Sequence, residues 1–172
     1  MAELLWRYCH LIWCIDLPEP LPAKANPALG FDDIFDVDDF LRRNLHEIWN
    51  RRMFGKVRDA YAPIVRFFGP SDRQGYGRGE YQAFVISLVS MFPDMALTVD
   101  EQYWMGNAVE GYSVSTRWSI VGTHTGPGAY GKPTGRRVYM WGITQHVVKN
   151  GQIVEEWMLF NEFEVLAQLL RE

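Results

Sequence analysis

Residues 135–166 read GRRVYMWGITQHVVKNGQIVEEWMLFNEFEVL, and this stretch decides the fold. Asn150-Gly151 lies between two runs rich in β-branched and aromatic residues. Both residues of the pair tolerate positive φ, so the dipeptide predicts a hairpin of two long antiparallel strands. Side chains alternate across a strand. Val138, Met140, Gly142, Thr144, His146 and Val148 therefore share one face, and Arg137, Tyr139, Trp141, Ile143, Gln145 and Val147 share the other. Both faces are largely apolar, which predicts cover on both sides, by helices or a cavity on one and by further protein on the other.

The polar groups inside that apolar frame carry the chemistry. A turn with one residue beyond the minimal pair, as in a bulged three-residue loop, sets His146 across from Glu156 and Thr144 across from Met158. A strict two-residue turn sets His146 across from Glu155 instead. Either register gives the imidazole a carboxylate neighbour. Such a pair is either acid/base machinery or an exposed ion pair near a sheet edge.

Working outward, residues 95–104 and 110–123 read as two more strands, separated at Gly106-Asn107. Tyr112, Val114, Thr116, Trp118 and Ile120 alternate with Ser113, Ser115, Arg117, Ser119 and Val121, so one face is apolar and one polar. The Gly/Pro stretch GTHTGPGAYGKPTG (122–135) delivers the chain to the hairpin, and its His124 reads as a structural or solvated loop residue. Upstream, Asp36 is a plausible N-cap for Phe40, Leu41, Leu45, Ile48, Trp49, Met53 and Val57, which recur at helical spacing. That predicts one long amphipathic helix ending before Pro63, with Arg42, Arg43, Arg51 and Arg52 on its wet face. A short strand follows at Ile64 to Phe68, then GPSDRQGYGRG (69–79), read as a flexible loop. Its glycines lack the Lys-Ser/Thr of a phosphate-binding loop. A helix is expected over residues 79–91 and a last short one over 162–171.

Helices followed by runs of antiparallel strand predict an α+β fold, with helices on the concave face of a curved antiparallel sheet. That arrangement leaves a cone-shaped pocket for a hydrophobic small-molecule ligand. Residues 4–17, LLWRYCHLIWCIDL, are apolar but too short to cross a bilayer as a helix. Residues 18–30 carry four prolines and read as an extended connector. The organisation expected is an N-terminal extension with its connector over 1–30 and a single domain over 31–172.

At 172 residues the chain supports one domain with a real core. Its formal charge of −4 supplies no basic excess for phosphates, so nucleic acid is not an expected partner. Cys9 and Cys14 fit neither a redox CxxC nor a zinc half-site, which points to free thiols in a reducing cytoplasm. Four scattered histidines, His10, His46, His124 and His146, form no metal-binding motif. Neither a metal nor a membrane is expected.

Phe92-Pro93-Asp94, Gly122-Thr123-His124-Thr125-Gly126, Pro133-Thr134-Gly135-Arg136, Gly142-Ile143 and Asn150-Gly151-Gln152-Ile153-Val154-Glu155-Glu156-Trp157 follow one another in this order. The series resembles the SnoaL-like polyketide cyclase family, one of the nuclear transport factor two-like cone folds, over about residues 37–166. The resemblance implies a homodimer packed through the sheet, a hydrophobic pocket and no cofactor. It also implies an acid/base Asp on the last strand and an assisting His on the strand before it. Counted from the turn, those positions fall on Met158 and Thr144, neither of which exchanges protons at neutral pH.

His146 and Glu156 lie two residues from each lost group on the same sides, as a displaced catalytic pair. Thr144, Met158, Phe160, Met140, Phe68 and Trp104 are the expected substrate contacts. Two functions compete. One is a cofactor-independent acid/base enzyme, of cyclase, aldol or isomerase type, on a hydrophobic carbonyl or polyketide-like compound. The other is a non-catalytic small-molecule-binding or assembly module on the same fold. For the dimer, the expected contact face is Tyr139, Trp141, Ile143, Val147, Trp157 and Leu159, with residues 4–17 as the alternative cover.

Overall fold

In the computed structural model, which describes residues 35–171, Asn150 and Gly151 take φ of 51° and 71°, as a tight hairpin turn requires. The expectations for residues 1–30, Cys9 and Cys14 included, lie outside the described residues. Six strands lie among the described residues: β1 (Tyr61–Gly69), β2 (Arg73–Tyr76), β3 (Ala96–Asn107), β4 (Gly111–Thr123), β5 (Arg137–Lys149) and β6 (Gln152–Phe160). The turn between β5 and β6 has only two residues, because Lys149 pairs with Gln152 and Val148 with Ile153. The register then shifts, so that Val147 faces Glu155, His146 faces Glu156 and Thr144 faces Met158. The extra residue placed by sequence in the loop is Val154, a bulge inside the strand.

The strands form one curved, unclosed sheet in the order β2-β1-β6-β5-β4-β3. Its one departure from the antiparallel expectation is the β1–β6 pair, which is parallel. The segment 69–79, expected as a loop, contains β2, which folds back on β1 with Arg66 opposite Tyr76 and Gly69 opposite Arg73. A polar tetrapeptide with a central glycine gives no strand signal, and only its pairing with β1 makes it one.

Four α-helices lie among the described residues: α1 (Val37–Leu45), α2 (Val57–Ala60), α3 (Gly77–Met91) and α4 (Glu162–Leu170). Asp36 caps α1 by accepting from the backbone N–H groups of Asp38 and Asp39, and Asn161 caps α4 through Glu164. The single long helix expected from residue 37 to the late fifties is interrupted. α1 continues as a π-helical turn over His46–Asn50, Arg52 takes φ of 57°, and a short 3-10 turn, Phe54–Lys56, precedes α2. Nor is Arg52 on a wet face. Its Nη2 donates to the carbonyls of Pro93 (3.0 Å) and Met95 (2.7 Å), fastening the helix break to the turn before β3. Burial lowers the pKa of this guanidinium, with the Asp94 charge opposing the shift.

The strands alternate cleanly. On β5, Val138, Met140, Gly142, Thr144, His146 and Val148 are buried while Tyr139 and Trp141 are about half exposed, at 50% and 54%. The inner face packs against Leu41, Ile48 and Trp49 of α1 and its π turn and against Tyr81, Val85 and Leu88 of α3. Cover on the outer face, expected from its apolar composition, is incomplete at Tyr139, Trp141 and Leu159. Among the described residues, no helix is long and apolar enough to cross a membrane.

Candidate functional site

Three central strands and one helix bring four polar side chains together in the core. β5 supplies His146, β6 Glu156, β1 Tyr61 and α3 Tyr81, and all four are buried, each at 0% or 1% exposure. His146 Nε2 lies 3.4 Å from Glu156 Oε2, an ion-pair distance rather than a formed hydrogen bond. Tyr61 donates its hydroxyl to the same carboxylate oxygen at 2.7 Å and lies 2.5 Å from the Tyr81 hydroxyl. A phenol carries one proton, so with that of Tyr61 given to Glu156 the Tyr81 hydroxyl donates to Tyr61. The chain Tyr81–Tyr61–Glu156–His146 results.

Burial first, and then the neighbouring Glu156 charge, push the pKa of both phenols well above the usual tyrosine range. Both are therefore protonated donors at neutral pH. Glu156 Oε1 and both ring nitrogens of His146 have no hydrogen-bond partner among the described residues. Buried polar atoms without partners are uncommon in native folds, and a bound water, an ion or a catalytic role are among their causes; Trp49 Nε1, Arg52 Nη1 and His124 Nε2 are also without one among the described residues.

The expected substrate contacts divide. Thr144 and Met158 face each other beside the pair, and Thr144 Oγ1 accepts from the Trp118 indole N–H at 2.8 Å. Met140 is buried on the same wall, and Phe160 packs edge-on against Trp118 with centroids 5.9 Å apart. Gly142 is needed there: a Cβ would lie 2.4 Å from the Leu159 carbonyl oxygen and 2.5 Å from the Trp118 ring.

Phe68 does not belong to this wall. It is the lateral neighbour of Trp157 and stacks on it, with centroids 5.5 Å apart and ring planes 8° apart, on the outer face. Phe67 is the inward residue, beside Glu156 and packed on Tyr81. Trp104 has inward parity, opposite Val114, but sits on the edge strand at 44% exposure, two strands from His146. His124 is fully buried, its Nδ1 3.3 Å from Thr134 Oγ1 and its ring against Phe92, a structural place at the root of the loop.

Tyr61 and Tyr81 are the functional candidates that sequence reasoning missed. The signal available was tyrosine in place of phenylalanine at two apolar positions, since a buried phenol needs a partner. Among the described residues, no group of three or more His, Cys, Asp or Glu side chains is placed to hold a metal ion. A cavity of about 40 Å³ opens farther along the wall, lined by Phe84, Leu88, Met91 and Phe160 and by the polar Arg73, Tyr130 and Glu162.

A six-stranded curved, unclosed sheet with four helices among the described residues is an α+β fold of the nuclear transport factor two-like kind. Residues 40–169 match the SnoaL-like polyketide cyclases, and the chain belongs to that family. Among solved structures, a protein of Jannaschia sp. CCS1 described as a SnoaL-like polyketide cyclase superposes with a TM-score of 0.68 at 17% identity, over 83% of this chain and 99% of that one. IdmH of Streptomyces antibioticus, described as a polyketide cyclase, gives 0.65 at 26% identity over 77% and 96%. AclR of Streptomyces galilaeus, described as a hydroxylase, gives 0.65 at 20% identity over 77% and 79%. No curated protein sequence matches the chain.

Proposed function

We propose that the chain is a cofactor-independent acid/base enzyme, of cyclase, aldol or isomerase type, acting on a hydrophobic carbonyl compound of polyketide-like character. His146 is the base and Glu156 its partner. The supporting observation is the fully buried imidazole whose Nδ1 faces no protein acceptor or donor while Nε2 is turned to a carboxylate. With the ring proton on Nε2, Glu156 holds that tautomer and leaves the Nδ1 lone pair to take a proton α to a carbonyl. The imidazolium so formed pairs with the carboxylate, and the 3.4 Å separation closes as positive charge develops. Tyr61 keeps Glu156 in place by donating to the oxygen that faces His146. The proton then returns from Nδ1 to the enolate carbon, or to the oxygen formed when that carbon attacks a second carbonyl.

The test is exchange of the α-hydrogens of 1-tetralone, a flat hydrophobic ketone, in deuterium oxide, followed by mass. Wild type should exceed the buffer rate, and His146→Ala should lose about 10²-fold or more of the enhancement. An alanine variant as fast as wild type places the base elsewhere. The alternative is a non-catalytic ligand-binding or assembly module, favoured by the complete burial of the pair. Failure of wild type to exceed buffer with a panel of aryl ketones would favour it.

A further inference from the structure

The cavity beside Phe160 is on the wall that carries the acid/base pair. Phe160, Met158 and Glu156 point inward in alternation along β6. Opposite them, Phe84 at the cavity packs against Phe67 with centroids 4.6 Å apart, and Phe67 is the lateral neighbour of Glu156. Two runs of side chains lead from the cavity toward the buried carboxylate, Phe84 and Phe67 on one side and Phe160 and Met158 on the other. Met158 is an unbranched thioether and the most easily displaced of the four.

At about 40 Å³ the cavity has room for roughly three waters, whereas benzene occupies an engineered cavity of about 150 Å³. An aromatic ligand therefore enters only if a wall moves. One wall of the cavity is the tip of the 124–135 loop. Its root is fixed, since the backbone N–H groups of Thr125 and Gly126 both donate to the Met91 carbonyl at 3.2 Å. Beyond the root, Gly128 and Gly131 exchange two backbone hydrogen bonds, and Gly131 takes φ of 95°. The two residues between them, Ala129 and Tyr130, line the cavity. The tip is held by Tyr130, whose ring lies against Phe92 with centroids 6.2 Å apart and whose hydroxyl meets one carboxylate. Glu162 Oε1 accepts from the Tyr130 hydroxyl at 2.7 Å and from Arg73 Nη1 at 2.8 Å, and Oε2 accepts from the Ser71 hydroxyl. Ser71 and Arg73 belong to the β1–β2 turn and β2, so a single side chain joins three segments around the opening.

We propose that this cavity is the entry chamber through which a flat hydrophobic carbonyl compound reaches His146, and that the Gly128–Gly131 tip is its door, latched by Tyr130 on Glu162. The inference rests on the proposed role of His146 for the ligand's class, but the door is tested without turnover. Diethyl pyrocarbonate labels accessible imidazoles, and peptide mass assigns the label by residue. In the full chain the exposed His46 serves as the reference and the buried His146 as the readout.

Tyr130→Phe and, as a second variant, Glu162→Gln should each speed His146 labelling several-fold relative to His46. The rate should stay flat in urea below the unfolding transition, as local opening requires. His146 labelled at the wild-type rate in both variants overturns the proposal. So does a rate that climbs with urea as steeply as global unfolding in every protein. Faster labelling together with an unimpaired His146→Ala chain removes the proposed base and keeps the door. Unchanged labelling with an inactive His146→Ala chain removes the door and keeps the base.

Discussion

Glu156 shows how much one side chain depends on another. Its carboxylate is fully buried, with Oε2 held by Tyr61 and Oε1 without a partner among the described residues. Removing the Tyr61 hydroxyl leaves a buried charge with one donor fewer and leaves Tyr81 without its acceptor. Tyr61→Phe should therefore cost about 1 to 3 kcal/mol of stability, read as a lower urea midpoint at unchanged slope. At this scale the sequence is readable where parity alone decides. His146 and Glu156 follow from alternation and from counting back to the turn, with the bulge as the only ambiguity. Phe67 and Phe68 do not, because both residues of the dipeptide are apolar and periodicity cannot choose between them. Tyr61 and Tyr81 were hidden for a related reason: a phenol counts as apolar until its partner is known, and the partner is far away in sequence.

Among the elements, the joint between α3 and β4 rests on Asp94. Its Oδ1 accepts from the Thr123 N–H at 2.6 Å and its Oδ2 from the Thr123 hydroxyl at 2.7 Å, which tie the turn after α3 to the end of β4. The Thr123 backbone bond first, then its hydroxyl, lower the Asp94 pKa below the usual carboxylate value. Glu162 is lowered as well: burial alone would raise it, and the combined donors Ser71, Tyr130 and Arg73 outweigh burial. A folded pKa below the unfolded one gives stability that is present above about pH 4 and lost as the pH falls through the folded value. Asp94→Asn should flatten the acid limb of the stability curve between pH 5 and 3, by an amount modest for so exposed a group, in urea midpoints taken across that range. The long strands and α3 were legible because their patterns are long and their turns rich in glycine or asparagine. β2 and the break at Arg52 were not. One is a polar tetrapeptide made into a strand by its neighbour, and the other is a positive φ taken by a residue that rarely adopts it.

For the molecule as a whole, helices followed by hairpins were enough to place the fold class. The parallel β1–β6 pair was beyond reach, since nothing local marks two strands some ninety residues apart as neighbours. The outer face carries Tyr139, Trp141 and Leu159 at about half exposure, and Arg117 stacks over Trp141 at 5.9 Å. We propose this face as a homodimer contact. Light scattering of the full chain should give twice the monomer mass, and Trp141→Arg should halve it; a wild-type monomer at high micromolar concentration rules the dimer out.

The position of β6 also sets the order in which the protein can be finished. It is the last strand in the chain and lies between β1 and β5. As the chain leaves the ribosome, the segments of the early hairpin with Tyr61 and of the later meander with His146 emerge before β6, and the two share no edge in the finished sheet. Residues 152–160 then have to slot between them. Pairing over such sequence distances is slow. A nascent chain stalled before that point therefore leaves the edges of β1 and β5 without their common neighbour, and His146 without Glu156 beside it.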